Sequence, residues 1–350
     1  MKSSRKSVRR YLAGALFLLV IFQMEGCYYL QAIRGHTDLM SRRRPMTEVI
    51  ADSESSEQLK GRLELVMEAR DFAVTELLLP DNDSYRSYAD LERDYVVWNV
   101  FAAPEFALEP RIWCYPVAGC VAYRGYFSEK SAREQGTRLK DDGFDVAIGG
   151  VSAYSTLGRF SDPVLNTMMR WTDVELVSTM FHELAHQKLY VKGDSAFNES
   201  FATAVAEIGL SRWLAARGES APLANDSAQK DLRRSMMGLV GPARKELAAL
   251  YAKDIDEQSM REKKAIILNE LSASAQLLLD AQPVPINNWL AAPLNNARLV
   301  SLNLYEGRLN AFSAIADECQ QQMECFYARA EALAKLTSEE RGARLNALGD

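Results

Sequence analysis

This sequence predicts an α+β fold with more helix than strand, and three observations carry the prediction. A capped apolar helix followed closely by a second one fills residues 172–208; short alternating or glycine-rich runs lie between Tyr95 and Leu157; and the chain after Gly218 reads as helical with a polar face. Taken in order, residues 28–80 look helical, with Leu59, Leu63, Val66 and Phe72 in an amphipathic pattern, and Pro80-Asp81-Asn82-Asp83 makes a turn. Tyr95 to Phe101 alternates like a strand, and Ile112 to Tyr126 reads as a hairpin. Ser128 is placed to cap a helix running to about Asp142, and Val146 to Leu157 is strand-like and glycine-rich. Breaks are expected at Gly241-Pro242 and around Pro283-Val284-Pro285. The organisation is one unit with three parts: 28–160 helical then α/β, 161–217 two central helices, and 218–350 helical.

The central helix carries the most informative residues. Phe181-His182-Glu183-Leu184-Ala185-His186 is an H-E-x-x-H motif in a chain with only three histidines. Positions i and i+4 share a helix face, so both imidazoles can reach one metal ion, and Glu183 projects beside it, where a general base for water belongs. The spacing predicts a zinc hydrolase, and within that class a peptidase. Thr172 and Glu175 form a capping box at the helix start, and Asp173 suits its positive end. Val174, Val177, Phe181 and Leu184 give the apolar stripe, Gly193 the stop, and the helix is expected from about Asp173 to about Val191. The third histidine, His36, reads as a surface or packing residue.

A catalytic zinc needs a third protein ligand. Lys192 occupies the position where an extended H-x-x-G-x-x-H form would place a histidine. Glu199, in Phe197-Asn198-Glu199-Ser200-Phe201-Ala202, is the preferred candidate. The twelve residues Gln187–Asn198 let the first helix end, turn at Gly193 and Asp194, and start a second helix capped by Asp194 or Ser195. Ala202, Ala204 and Ala206 allow close packing there, and a lone acid in an apolar stretch is costly unless paired or metal-bound. Glu207 is the competitor, as ligand or as hydrogen-bond acceptor from a ligating histidine.

Residues 1–26 read as an export signal. Lys2, Arg5, Lys6, Arg9 and Arg10 precede a twelve-residue apolar core from Tyr11 to Phe22, short for a membrane span but right for a signal. Gly26-Cys27 follows, where a lipoprotein signal is cut and Cys27 lipidated; an uncleaved short anchor is the alternative, and either tethers an exported body to a membrane. Tyr28 rather than aspartate after the cysteine favours the outer membrane. Cys114, Cys120, Cys319 and Cys325 suit an oxidising periplasm; they allow three disulfide connectivities, of which local pairing is the simplest. Removing the signal takes the net charge from −6 to about −10, which argues against nucleic acid as a partner. About 324 residues remain, with 48% apolar and 25% charged residues in the whole chain, enough for an ordinary globular core.

Several runs resemble the bacterial putative aminopeptidase family, whose members are usually predicted lipoproteins. They are Trp113-Cys114-Tyr115-Pro116-Val117-Ala118-Gly119-Cys120 through Phe127, Gly149-Gly150-Val151-Ser152-Ala153-Tyr154-Ser155-Thr156-Leu157-Gly158, the H-E-x-x-H run to Gln187, Phe197 to Ala202, and Asn295-Asn296-Ala297. The resemblance implies a gluzincin-like zinc peptidase with a small mixed β-sheet packed on the H-E-x-x-H helix, His182, His186 and Glu199 as ligands, and Glu183 as base. In gluzincins an edge strand before that helix holds extended substrate by main-chain hydrogen bonds. Residues 149–158 sit at that place, and they serve equally as a buried strand with a tight turn. Tyr154 is the expected oxyanion donor, with Tyr190 and Tyr305 as rivals. Peptide is the expected substrate; "aminopeptidase" comes from the resemblance alone, and a zinc endopeptidase or a non-catalytic, lipid-anchored envelope binding module are the alternatives. Asn295 and Asn296 are candidates for holding a substrate amine or simply turn formers. Nothing in the sequence fixes the oligomeric state.

Overall fold

The computed structural model describes residues 28–115, 119–219, 221–281, 292–302 and 308–349. The expected signal, Cys27, Tyr305 and the Pro283–Pro285 break lie outside the described residues. Helices dominate. α1 (28–41) leads into β1 (Arg43–Pro45), α2 (Met46–Ala51) and α3 (Glu57–Thr75), so the helical stretch expected at 28–80 is interrupted by a short strand. Ser56 caps α3 by accepting from the Leu59 amide at 3.2 Å.

Three small sheets follow among the described residues. β2 (Ser87–Ala89) sits between antiparallel β1 and parallel β8 (Val164–Leu165), a mixed sheet. β3 (Val97–Pro104) is central to a second, antiparallel sheet, flanked by β6 (Arg124–Tyr126) and β7 (Phe144–Val151). β4 (Trp113–Tyr115) and β5 (Gly119–Val121) form a hairpin closed by a Cys114–Cys120 disulfide. α4 (Glu129–Asp141), capped by Ser128, packs on the antiparallel sheet through Ala132 and Leu139 against Val100, Tyr126 and Val146. β7 stops at Val151, so the strand expected to Leu157 is shorter: residues 152–158 leave the sheet because Asp162 draws Ser155 and Thr156 into a loop.

α5 (Asp173–Lys188) and α6 (Ser195–Ala216) form the middle of the largest core. Thr172 and Glu175 make the reciprocal capping box, and Arg62 pairs with Asp173 at 3.1 Å. Leu176, Val177, Met180, Phe181, Leu184 and Ala185 are buried against α3, α6 and the mixed sheet. A methyl added at Gly209 of α6 would lie 2.6 Å from Leu77 Cδ1 and 2.8 Å from Phe181 Cδ2, so the glycine sets how closely the two helices approach.

The remaining helices complete two cores. α7 (Ala221–Tyr251) and α8 (Glu257–Asp280) pack through Val240, Leu247, Met260, Ile267 and Leu271. α7 runs through Pro242 rather than breaking there: burial of that apolar face outweighs the local cost of about 3 kcal/mol. α9 (Asn296–Leu302) ties this pair to the sheet, with Asn295 donating to the Val146 carbonyl, Asn296 donating to the Pro104 and Glu105 carbonyls, and Lys264 pairing with Asp145 at 2.6 Å. α10 (Leu309–Glu318), α11 (Met323–Ala334) and α12 (Ser338–Gly349) close over α6, with Phe312 and Phe326 packed on Phe201. Cys319 and Cys325 are bonded across the α10–α11 turn, where Gln320 and Gln321 take left-handed conformations. No helix among the described residues is long and apolar enough to cross a membrane.

Candidate metal centre

One turn of α5 and the second turn of α6 meet at three donor atoms. His182 Nε2 lies 3.1 Å from His186 Nε2 and 3.3 Å from Glu199 Oε2, and His186 Nε2 lies 3.7 Å from Glu199 Oε1. His182, His186 and Glu199 form the group of potential metal ligands found among the described residues; Glu207 is not in it. Tetrahedral zinc with bonds of 2.0–2.1 Å requires ligand atoms separated by about 3.3 Å, which matches this spacing. Two imidazole nitrogens and a carboxylate facing one point cannot all be satisfied by one shared proton, whereas a cation satisfies all three. Donor type, number and spacing therefore fit a zinc ion. One feature departs from the usual pattern: the buried Nδ1 of His186 has no protein hydrogen-bond partner, whereas a ligating histidine generally donates its second N–H.

The turn between the helices is built to present Glu199. Gly193 takes a φ of 84°, which glycine adopts without strain. Asp194 caps α6 by accepting from the Phe197 amide at 3.0 Å, and its carboxylate is held by Arg341 at 2.9 Å and Arg308 at 3.2 Å. Asn198 clamps the turn from inside α6: it donates to the Val191 carbonyl and accepts from the Val191 amide, both at 2.8 Å. Glu199 is the next residue. On the other helix, Gln187 is held by Asn82 at 2.8 Å and Ser84 at 3.3 Å, in a loop that the fully buried Arg70 organises through the carbonyls of Pro80, Asn82 and Ser84.

Electrostatics separate the two histidines. Burial and the neighbouring His182 push His186 down to about 4, against the pull of Glu199, so it is neutral at pH 7, the form a metal ligand requires. Burial also disfavours charge on His182, but the Glu199 hydrogen bond and the charges of Glu183 and Glu199 outweigh it and raise its pKa. Burial acts against the Glu199 carboxylate; its bond to His182 and the two histidine charges overcome that and hold it below the usual range. Burial raises Glu183, outweighing His182 and a hydrogen bond from Ser155, which lower it.

Residues from the opposite side complete the site. The Ser155 hydroxyl donates to Asp162 at 3.4 Å and also acts on Glu183 and Tyr85, lowering the pKa of each. Asp162 accepts from the Thr156 amide and hydroxyl, each at 2.8 Å, as well as from the Ser155 hydroxyl. Tyr123, just before β6, is pushed up to about 12 by burial and by the charges of Glu199 and Glu183, so its phenol stays protonated and feels both carboxylates. Tyr190 lines the rim, its ring 6.4 Å from that of His186. Tyr154 is placed elsewhere: its hydroxyl is 3.5 Å from His36 Nδ1 and its ring packs edge-on against Phe127. Because β7 ends before it, Ser155 rather than Tyr154 turns toward Glu183. Asn295 and Asn296 are engaged with the sheet backbone, away from the donor cluster. Sequence reasoning missed Tyr123, Ser155 and Asn198, although all three lie in runs that carry the family resemblance.

The chain belongs to the family described as putative aminopeptidase, which matches residues 27–345. No curated protein and no solved structure matches it.

Proposed function

We propose that this chain is a zinc-dependent peptidase of gluzincin type, tethered in the cell envelope by lipidated Cys27, with its body in the periplasm. The observation that carries the reading is the convergence of His182, His186 and Glu199 on one point with Glu183 beside it. When bound, zinc supplies Lewis acidity, lowering the pKa of water and polarising a carbonyl. Glu183 accepts the proton of the attacking water and delivers it to the leaving amine; its raised pKa suits both transfers. Ser155 fixes the Glu183 carboxylate. Tyr123 donates to the developing oxyanion, in the role first expected of Tyr154. β7 is an edge of its sheet, and Gly149 has open space where a side chain would be, so an extended peptide can pair there. Asn295 covers that edge at Val146, which confines pairing to the end nearer Val151.

Zinc stoichiometry of the purified chain beside His186→Ala and Glu199→Ala tests the reading. One zinc in the parent, lost or strongly weakened in both variants, is expected; a folded parent that takes up no zinc after reconstitution removes the metallopeptidase. Comparing a free aminoacyl fluorogenic substrate with its N-blocked peptide counterpart then separates an aminopeptidase, the activity the family description names, from an endopeptidase.

A further inference from the structure

Large apolar side chains left in water are unevenly spread over the described residues. On α1, Tyr29, Leu30 and Ile33 are 38%, 53% and 62% exposed; on the loop after β7, Leu157 and Phe160 are 38% and 52% exposed. The inner face of α1 is accounted for: Tyr28 stacks on Tyr115, Gln31 bonds the backbone of Gly125 and Phe127, and Leu39 is buried. Helical spacing puts Tyr29, Leu30 and Ile33 on the outer side, where a helix packed on a globular body is ordinarily polar. One turn beyond Ile33, the His36 ring lies 4.6 Å from that of Phe160, so the apolar face continues from the helix onto the loop. Exposed Arg34 borders it, as cations border apolar faces that enter a lipid interface.

The position of this face in the chain says what covers it. Ile33 lies six residues after Cys27, and α1 is described from the very next residue, Tyr28. A lipid on Cys27 therefore holds the first two turns of α1 at a bilayer surface. We propose that the outer face of α1 and the 157–160 loop form a bilayer-contact surface that lays the body on the membrane and brings the segment flanking Glu183 up to the lipid. The contact is interfacial, since no described helix can span. It rests on the envelope-tether part of the reading above and is independent of zinc and of peptidase activity.

The test uses the mature chain carrying its lipid on Cys27, bound to vesicles of phosphatidylethanolamine and phosphatidylglycerol doped with phosphatidylcholine brominated on its acyl chains. Ile33→Trp, Phe160→Trp and Leu277→Trp each add one tryptophan to the five already present, and quenching is read relative to the parent. Leu277, 73% exposed on α8, is the control for an apolar position on another part of the body. The added tryptophans at positions 33 and 160 should be quenched at least about twofold more than that at 277. Attachment without that difference overturns the contact surface while leaving the tether intact, and points to a second copy as what covers the face. A chain that does not attach to the vesicles overturns both.

Discussion

The two sides of the candidate centre are built differently. The α5–α6 side is local: two histidines one helical turn apart, a capped turn, and a carboxylate on the next helix, all within residues 182–199. The facing side is gathered from three separate segments, with Tyr85 from the loop before β2, Tyr123 before β6, and Ser155 after β7. The local side holds the donors that fit a metal, and the gathered side holds hydroxyl groups that interact with Glu183 or Glu199. A peptidase built this way should lose metal when the first side is altered and lose turnover, with metal retained, when the second is altered. Glu183 belongs to α5 by sequence and to the gathered side by partner, so it is the sharpest probe of the division.

Glu183→Gln should keep one zinc while hydrolysis falls by about 10²–10⁴-fold; full activity in a zinc-loaded variant would remove Glu183 from the mechanism. Tyr123→Phe should cost about 10²-fold in kcat at unchanged zinc content, and the same loss in Tyr154→Phe would return the oxyanion role to Tyr154. Ser155→Ala should cost about 10-fold in kcat with zinc retained, whereas zinc loss on that change would break the division between the two sides. On the local side, Gly209→Ala should lower unfolding free energy by up to about 2 kcal/mol in urea, because overpacking against Leu77 and Phe181 exceeds the roughly 1 kcal/mol gained in helix propensity.

The smallest effect concerns pH. Burial acts against the Asp194 carboxylate, but the Phe197 amide, Arg341 and Arg308 overcome it and lower its pKa from the ordinary 3.8. A depressed carboxyl stabilises the fold above its unfolded pKa, and that contribution is lost as pH falls through the folded value. Stability should therefore decline as pH drops below 3.8, and Asp194→Asn should flatten that part of the curve when unfolding is followed by circular dichroism.

The same division explains what the sequence disclosed. Helical period places His182 and His186 together, the capping box starts their helix, and the length of the Gln187–Asn198 link permits Glu199 to arrive; each depends on neighbours in the chain. Tyr123 and Ser155 depend on sheet pairing and on where β7 stops, which no local pattern records. The sequence points to Tyr154 only because no spare histidine lies near the motif, and nothing local in it singles out Ser155. Once the strand ends at Val151, a buried Asp162 decides which side chain turns inward. Pro242 marks the opposite case, a strong local signal for a break overridden by packing of α7 on α8.

Asp194 joins the start of α6 to Arg308 and to Arg341 on α12, the last helix among the described residues. The start of α6 is thus fastened to residues 114 and 147 positions further along the chain. A chain cut before Arg341 would keep the Asn198 clamp and the Phe197 cap but lose one of the two guanidinium partners of Asp194. A helix more than a hundred residues from the donor cluster is thereby tied to the turn that presents it, so damage far from the centre in sequence can loosen the turn beside it.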